Sequence, residues 1–404
     1  MKHFKSFFKC LQLVFFLLLT NTASATVDSL RLAEMDSVEI SLLTCGPGKE
    51  VYTLYGHTAI RVNNPVRQND IVANYGIFSL DKSFFVPLFV FGITDYTMAL
   101  SLYESFCNSY ASEGRWVKEQ KLNLSSTDKL AIVSALEINY LPENRVYRYN
   151  YFYDNCTTRA RDIIVNNIAG RVDYRHTNDS VVTYRSAIHV YNAGHPWAQL
   201  GNDLLLGIKA DMPITYEQQQ FLPENLMNDF DNAVIIDDNG NEKPLVESTK
   251  WVIAPTKQEH ASGFPIKPLN AIMILSLLIF IFTIIENRKR KNFWLLDAVI
   301  LSADGIAGLI LLAMVFSQHP TVQLNFQILL FCPVNLFLLY PVVKKLKSGQ
   351  CHKWLKVWCI LLIIYLFGGL LQHYPDGEIM LALVLMVRYL VKIIIEKKIE
   401  SHEL

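Results

Sequence analysis

The sequence predicts an α+β exported domain followed by an all-α membrane domain of five helices. Three observations lead to this fold class: a short basic and apolar N-terminus, a long stretch of mixed composition ending near Pro265, and a series of apolar segments beyond it. The predicted division is a signal peptide at 1–25, an exported domain at 26–265 and a transmembrane domain at 266–404.

The N-terminus has the layout of a secretory signal. Its lysines precede an apolar stretch from Cys10 to Leu19, and Ala23-Ser24-Ala25 supplies the small residues of a cleavage site. An uncleaved anchor is the alternative, although the apolar stretch is short for a membrane span.

Strands and helices are both predicted in the exported domain. Strand-like alternation and Gly/Pro/Asn turns predict a strand at Val38–Thr44 and a hairpin formed by Thr58–Val62 and Ile71–Phe78. Helical spacing and capping residues predict helices at Ser126–Leu141 and Asn155–Ile168, and a partly helical region at Tyr184–Gly207. A small antiparallel sheet with helices packed against it is expected.

The region beyond Pro265 predicts membrane helices. Its apolar segments are Leu269–Ile285, Trp294–Phe316, Gln323–Val343, Trp354–Leu371 and Ile379–Ile395. Lys and Arg concentrate after the first, third and fifth segments, whereas the loops around Gln318 and Gln372 hold none. The positive-inside rule then places the C-terminus in the cytoplasm and the exported domain in the periplasm of a multi-pass inner-membrane protein.

Composition excludes several classes of function. The formal net charge of +0 argues against a nucleic-acid-binding protein, which would carry a basic face. No C-x-x-C pair or H-E-x-x-H motif occurs, so no metal or other cofactor is expected. The exported domain keeps Cys45, Cys107 and Cys156, an odd number, and a Cys45–Cys107 disulfide is one possible pairing.

Cys156 is the leading candidate for a catalytic residue. Asp154 and Asn155 are typical helix N-cap residues, and apolar positions recur behind them at helical spacing. A thiol in the first helical turn loses its proton more easily, and the thiolate is the nucleophile. A buried structural cysteine is the alternative.

His57 is the candidate base, because a His on a strand and a Cys at a helix start form a thiol-catalysis pair. Its orienting partner is expected to be Asn74 or Tyr75 on the neighbouring strand, and Asn74 is preferred although the register leaves both open. In a papain-like site the nucleophile begins a helix and the base lies on a strand. Here the His precedes the Cys, so the arrangement would be a permuted papain-like fold.

Several short motifs occur in a fixed order along the chain: Leu-Leu-Thr-Cys-Gly-Pro-Gly at 42–48, Tyr-Gly-His-Thr-Ala-Ile-Arg-Val at 55–62, Asn74-Tyr75-Gly76, Gly114-Arg115, Pro142-Glu143-Asn144-Arg145 and Asp154-Asn155-Cys156. In this order they resemble the Lnb family, whose members join an exported N-terminal domain to a transmembrane C-terminal domain. The exported domain is also similar to permuted papain-like acyltransferases of the lecithin–retinol type, in which Asn-Cys opens a helix after the His. The resemblance implies a permuted papain fold of the NlpC or lecithin–retinol type.

The resemblance implies a lipoprotein N-acyltransferase. Such an enzyme moves an acyl chain from a membrane phospholipid to the α-amino group of the lipidated N-terminal cysteine of a lipoprotein, through an acyl-cysteine intermediate. The expected partners are therefore a phospholipid donor, a lipoprotein acceptor and the membrane, with Cys156, His57 and Asn74 as the catalytic residues.

Further residues are candidates for supporting roles. Tyr75 and Asn155 adjoin the predicted catalytic residues, and His319, at the exported edge of the membrane domain, is expected to hold a lipid headgroup or to face the catalytic domain. His319 follows Asp304 by about four helical turns, which predicts a shared helix face. The aromatic run Phe84–Phe91 is expected either to dip into lipid or line an acyl groove, or to be an ordinary packed segment.

Four arginines, Arg61, Arg145, Arg159 and Arg161, are candidate phosphate ligands, with simple ion pairs as the alternative.

Two other functions compete with acyl transfer. One is a membrane-anchored papain-like cell-wall peptidase or amidase, which would need only one anchor. The other is a non-enzymatic scaffold, in which Cys156 and His57 are only core residues.

Overall fold

A computed structural model of the chain describes residues 29–78, 84–176, 181–256 and 264–402. The predicted signal peptide at 1–25 lies outside these residues.

The exported domain is built on a seven-stranded antiparallel sheet with a small three-stranded sheet beside it. The strands are β1 Glu39–Cys45, β2 His57–Asn64, β3 Asn69–Ile77, β4 Asp95–Leu102, β5 Val117–Leu122, β6 Val146–Arg148, β7 Arg171–Asp173, β8 Val234–Ile236, β9 Glu242–Pro244 and β10 Val246–Ile253. The large sheet has the order β10-β5-β1-β2-β3-β4-β6, and the small sheet the order β7-β8-β9.

The predicted hairpin is present in the structure. β2 pairs with β3 so that Ala59 lies opposite Asn74, and the chain reverses at 65–68, directly after the Asn63-Asn64 pair. The predicted first strand is also present as β1, which pairs with β2 along its whole length. Most residues of β1 and β2 are buried, on both faces of the sheet. A shift of one residue would exchange the side chains between the two faces, so this packing fixes the register.

Helices surround the large sheet. Those of the exported domain are α1 at 29–35, α2 Phe85–Val90, α3 Tyr103–Ser112, α4 Ser126–Tyr140, α5 Cys156–Val165, α6 Tyr184–Asn192, α7 Pro196–Leu205, α8 Tyr216–Gln219 and α9 Pro223–Asn232, with two 3₁₀ turns at Val51–Thr53 and Ile208–Asp211. The two predicted helices appear as α4 and α5. The partly helical region divides into α6 and α7 around Gly194, as expected.

The core lies on both faces of the sheet. On one face Ile60 and Ala73 pack with α5 residues Ala160 and Ile164. The other face is covered by α3, whose Phe106 joins a second buried cluster with strand residues. The Cys-bearing helix therefore packs directly on the strands that carry the candidate base.

The C-terminal part of the chain is helical. Its helices are α10 Pro268–Lys289, α11 Trp294–Val315, α12 Gln327–Leu330, α13 Val334–Phe337, α14 Leu339–Lys347, α15 Lys353–Gly368 and α16 Glu378–His402. Within the described residues α10 and α11 are long and apolar enough to cross a membrane, and the segment from α12 to α14, bent by 77°, counts as a third if it is one span. The count of five membrane helices is not confirmed and stays a prediction.

The two parts of the chain are joined by backbone hydrogen bonds. The amides of Gly207 and Ile208, after α7, donate to the carbonyls of Thr321 (2.8 Å) and Leu324 (2.9 Å) in the loop after α11. A Cβ at Gly207 would lie 2.0 Å from the Leu324 oxygen, so a side chain would disrupt this approach. A second loop, before α16, also contacts the exported domain, because Gln372 donates to the Leu206 carbonyl (3.2 Å).

The basic loops of the helical part lie together, away from the loops that contact the exported domain. Asn292 donates to the Leu346 carbonyl, and the Lys347 ammonium lies 3.9 Å from the ring centroid of Trp294. The Cys351 amide donates to Glu396 near the end of α16 (2.7 Å). The loops that were predicted to be cytoplasmic therefore share one end of the helical part.

Candidate active site

Cys156 is the first residue of α5. The side-chain oxygen of Asn155 accepts hydrogen bonds from the amides of Thr157 (2.8 Å) and Thr158 (3.0 Å), and the Thr158 hydroxyl in turn accepts from the Asn155 amide (2.9 Å). This reciprocal arrangement is a capping box, the local signal for a helix start. The predicted placement of Cys156 at a helix N-terminus is therefore found in the structure.

Asn155 also ties the helix start to its surroundings. Its side-chain amide is buried and donates to the carbonyls of Tyr151 (2.9 Å) and Phe221 (2.9 Å). One side chain thus fixes the entry of the chain into α5 and the segment before α9. The structure places Asn155 in a supporting position directly before Cys156.

His57 begins β2, after a sharp turn at Gly56. Gly56 has φ +81°, and a Cβ there would lie 2.6 Å from the Cys45 carbonyl oxygen, so the turn requires glycine. The His57 Nε2 lies 3.3 Å from the Asn74 Oδ1. Its ring stacks on Tyr110 of α3 with centroids 6.5 Å apart. The turn at Gly56, the contact with Asn74 and the contact with Tyr110 together fix the imidazole at the start of β2.

The register separates the two candidates for the orienting residue. The Asn74 side-chain amide donates to the carbonyl of Val72 (3.3 Å) and to the hydroxyl of Ser101 (3.1 Å), so its Oδ1 is the atom that faces His57. Since an amide oxygen only accepts, the His57 Nε2 carries the proton and Nδ1 remains available to the thiol. Tyr75 points to the other face of the strand, where its hydroxyl is buried and has no partner among the described residues.

The electrostatics of the site favour a thiolate at Cys156. Burial raises the pKa of this thiol, but the charge of His57, its hydrogen bond and those from the Thr58 backbone and the Thr157 side chain outweigh burial and lower the pKa to about 7. Cys45, on the neighbouring strand, shows the contrast: burial raises the pKa of its thiol far above the ordinary value. The environment therefore activates one of two buried thiols.

Tyrosines outside the predicted site lie around Cys156. Tyr147, in β6, is buried and Tyr149, directly after it, is half-buried, and loss of solvent contact raises the pKa of both strongly. Tyr147 and Tyr149 both lie near Gly76, where a Cβ would be 3.5 Å from the Cys156 Cβ. The signal in the sequence is the alternation Tyr147-x-Tyr149-x-Tyr151 just before the Cys helix, which is typical of one strand face.

The aromatic run at 84–91 forms α2 and lies against the loop after α11, next to His319. The His319 Nε2 lies 3.1 Å from the Phe89 carbonyl oxygen, and its ring lies against the rings of Phe89 (5.8 Å between centroids) and Tyr151 (4.5 Å). His319 therefore faces the exported domain, which is one of the two alternatives predicted. Phe84, at the start of this run, is 78 % exposed.

The predicted shared face of Asp304 and His319 is wrong, because α11 ends at Val315 and His319 lies in the loop beyond it. Asp304 instead accepts hydrogen bonds from the Cys332 amide (3.1 Å) and the Asn335 side chain (2.5 Å) in the bent segment. Asp304 thus joins α11 to a helix break, which is a packing role.

The candidate phosphate ligands are engaged in other contacts. Each of the four arginines lies on a carboxylate or an aromatic ring: Arg61 on Asp70 and Glu119, Arg145 over Tyr140, Arg159 on Asp154 and over Tyr147, and Arg161 on Asp162. The ion-pair interpretation describes these arrangements better than a phosphate site.

Disulfide bonds and metal-binding clusters are both absent from the residues that the structure describes. All six cysteines that the structure describes are free thiols, so Cys45 and Cys107 are not bonded to each other. Among the described residues no group of three or more His, Cys, Asp or Glu side chains is placed to hold a metal ion.

Two family models match the chain. Residues 26–189 match the Lnb N-terminal periplasmic domain, and residues 258–400 match the Lnb transmembrane domain. No curated protein and no solved structure matches it. The permuted papain-like interpretation therefore stays a prediction, although the order of a His strand before a Cys helix is present in the fold.

Proposed function

The chain belongs to the Lnb family, and we propose that it is a lipoprotein N-acyltransferase that uses Cys156 as its nucleophile. The observation that carries the proposal is the Cys156 thiol, which is buried at the start of α5 and whose pKa a neighbouring histidine lowers to about 7. A thiolate of this kind attacks an ester carbonyl, and the thioester that results is reactive towards an amine.

The first half of the proposed reaction forms the acyl-enzyme. The Cys156 thiolate attacks the ester carbonyl of a phospholipid, a C–S bond forms, and the ester C–O bond breaks. His57, having taken the thiol proton, gives it to the departing lysophospholipid oxygen. Asn74 holds the imidazole with Nδ1 towards the thiol through its contact with Nε2.

The second half transfers the acyl chain. The free α-amino group of the lipoprotein attacks the thioester carbonyl, a C–N bond forms and the C–S bond breaks. His57 accepts the proton that the amine loses, and the thiolate is restored for the next cycle. The balance requires no co-reactant beyond the two lipids.

Contacts with the helical part support a membrane-facing site. Tyr151, which accepts a hydrogen bond from Asn155, lies on His319, and its hydroxyl is 3.3 Å from the Thr321 hydroxyl. His319 and Thr321 follow the outer end of α11, a helix long enough to span the bilayer. The helix start that carries Cys156 is therefore held close to the surface at which both substrates would lie.

The proposal includes five membrane crossings, with the domain boundary near residue 265 and the C-terminus in the cytoplasm of a protein in the bacterial inner membrane. The contact of Gln372 with Leu206 supports the count, because it brings the chain back to the exported domain between α15 and α16. Arg388 and Lys392, which make α16 less apolar, pair with Asp297 (2.7 Å and 3.0 Å). Paired charges of this kind are compatible with a span that faces other helices.

The test is to trap the intermediate. Full-length protein incubated with phospholipid and no lipoprotein should carry a hydroxylamine-sensitive acyl group on Cys156, detected by mass spectrometry. Cys156→Ser and His57→Ala should each lower N-acylation by several orders of magnitude, since nucleophile and base act as a unit. Tyr75→Phe is the matched control and should form the adduct normally. A fully active Cys156→Ser variant would contradict the thiol mechanism.

A further inference from the structure

β6, three residues long, is an edge strand of the large sheet and lies next to the candidate active site. Within the described part of the chain it pairs with β4 alone, through Asp95 opposite Arg148, Tyr96 opposite Tyr147 and Thr97 opposite Val146. Val146 is 54 % exposed, so this edge faces solvent.

The hydrogen-bond pattern shows which backbone groups of β6 are unused. The Met98 amide donates to the Arg145 carbonyl (2.8 Å) and the Tyr149 amide to the Thr94 carbonyl (3.2 Å). Because bonded positions alternate along an antiparallel ladder, the N–H and C=O groups of Val146 and Arg148 point away from β4. None of the described residues bonds to them, so the outer edge offers two donors and two acceptors.

The C-terminal end of β6 lies close to Cys156 and to the helical part of the chain. Tyr147, between the two outward-facing residues, and Tyr149, directly after β6, both lie near Gly76. A Cβ placed at Gly76 would be 3.9 Å from the Tyr147 hydroxyl, 3.7 Å from the Tyr149 ring and 3.5 Å from the Cys156 Cβ. The Arg148 guanidinium donates to the Gln318 side chain (3.1 Å) in the loop after α11. β6 thus runs from solvent towards the membrane surface and ends beside Cys156.

We propose that the outer edge of β6 binds the peptide segment that follows the lipidated residue of the acceptor, as an added antiparallel strand. The inference rests on the proposed function. A lipid-anchored peptide leaves the membrane with its amino end nearest the bilayer, so it runs opposite to β6. This direction delivers the α-amino group to the end of the strand where Cys156 lies.

Pairing of this kind recognises an extended backbone and not a side-chain sequence. One short strand offers few bonds, so binding is weak enough for the product to leave. An enzyme with this acceptor site would modify peptides of unrelated sequence, provided that the residues after the lipidated one are extended.

The first test leaves the edge intact. Synthetic diacylglyceryl-cysteine peptides with a single backbone N-methyl group at each of residues 2 to 6 are bound to the full-length Cys156→Ser variant in vesicles. In an added strand every second peptide N–H faces β6, so Kd should rise by about three- to tenfold at alternate positions, the effect of one lost hydrogen bond, and by less than twofold between them. A flat profile overturns the proposal.

The second test changes the edge itself. Val146→Pro removes one outward N–H, a substitution that edge strands tolerate, whereas Val146→Ala keeps it. Val146→Pro should raise KM for the unmethylated lipopeptide by about three- to tenfold, and Val146→Ala should not. Acyl-Cys156 formation from phospholipid should be equal in both and shows that the fold is intact. An unchanged KM in Val146→Pro contradicts edge pairing, whereas a wild-type protein without the adduct contradicts the proposed function instead.

Discussion

At the scale of single residues, the activation of Cys156 depends on the charge of one imidazole. Burial alone raises the pKa of a thiol, as it does for Cys45, which lies one strand away from His57. At Cys156 the effect of His57 is added to two further hydrogen bonds and outweighs burial. The two buried thiols therefore differ in whether His57 acts on them: it lowers the pKa of Cys156, whereas burial keeps the pKa of Cys45 raised.

This balance predicts the pH dependence of the thiol. Because the pKa of Cys156 is lowered to about 7, alkylation by iodoacetamide should rise with pH through about 7 in the wild-type protein. In His57→Ala burial acts without the opposing charge, so the midpoint should move to higher pH. Rates are measured on full-length protein in detergent, with the Cys156→Ser signal subtracted. Equal midpoints in the two proteins would show that His57 does not set the thiol pKa.

A second residue-scale prediction concerns the orientation of the base. Asn74→Ala should lower the rate of acyl-Cys156 formation by about tenfold, the effect of a lost hydrogen bond, with little change in KM for phospholipid. Tyr75→Phe should change the rate by less than twofold, because the Tyr75 hydroxyl has no partner among the described residues. Stopped-time mass spectrometry of the adduct gives both rates. An equal loss of rate in the two variants would contradict the orienting role of Asn74.

The positions of the candidate residues are easier to predict from sequence than their neighbours. The local patterns place Cys156 at a helix start and His57 on a strand, and the register of β2 and β3 brings His57 to Asn74. The catalytic roles of these three residues stay predictions. Tyr147 and Tyr149 were missed, since a tyrosine near a nucleophile looks the same in sequence as one in any core.

At the scale of elements, the N-cap residue of α5 both stabilises the helix start and bonds it to neighbouring segments. Asn155 closes a capping box on α5, as Ser125 does on α4, where its hydroxyl accepts from the Asp128 amide (3.1 Å). Of the two cap residues, Asn155 also donates to the carbonyls of Tyr151, just before α5, and Phe221, which is distant in sequence. The comparison separates helix stability from the positioning of the nucleophile.

Asn155→Ala and Ser125→Ala should each lower the free energy of unfolding by about 1–2 kcal/mol, the usual cost of a lost cap. Asn155→Ala should in addition lower the rate of acyl-Cys156 formation by at least about tenfold, whereas Ser125→Ala should leave it unchanged. Thermal unfolding and adduct formation are measured on the same detergent samples. Similar rates in the two variants would mean that the cap only stabilises α5.

Two neighbouring strands of the large sheet, β5 and the edge strand β10, escaped prediction for a physical reason. β5, Val-Lys-Glu-Gln-Lys-Leu, is largely polar, yet Glu119 and Gln120 are buried because Arg61 donates to Glu119 (2.8 Å) and Gln120 donates to the Met227 carbonyl (2.8 Å). Alternation of apolar residues cannot reveal a strand whose burial depends on polar partners far along the chain. β10 likewise reaches the sheet only by pairing with β5.

At the scale of the whole molecule, the helical part has two ends of different character. One end holds the loops of Gln318 and Gln372, which both contact the exported domain. The other end gathers Asn292, Leu346 and the end of α16. The charge pattern of the sequence predicted this separation, because Lys and Arg occur only in the loops of the second group.

Length and composition alone identify up to three crossings among the described residues, and the structure explains why α15 and α16 are not among them. α15 has 16 residues, about 24 Å of helix at 1.5 Å per residue, which is short for a 30 Å hydrocarbon core. α16 is longer but carries Arg388 inside the helical part, where it pairs with Asp297 and Glu286. If only α10, α11 and the bent segment crossed, Gln372 would lie on the opposite side of the membrane from Leu206, its partner.

The number of crossings is therefore testable at two exposed positions. Asp376, before α16, should be on the periplasmic side with Gln372, and Ser348, after α14, on the cytoplasmic side. Asp376→Cys should react with a membrane-impermeant maleimide in intact cells, and Ser348→Cys only after permeabilisation, each compared with the unsubstituted chain. Labelling of Asp376→Cys that requires permeabilisation would leave three crossings. It would also separate Gln372 from Leu206, so the docking of the exported domain on this loop would have to be abandoned with the five-helix arrangement.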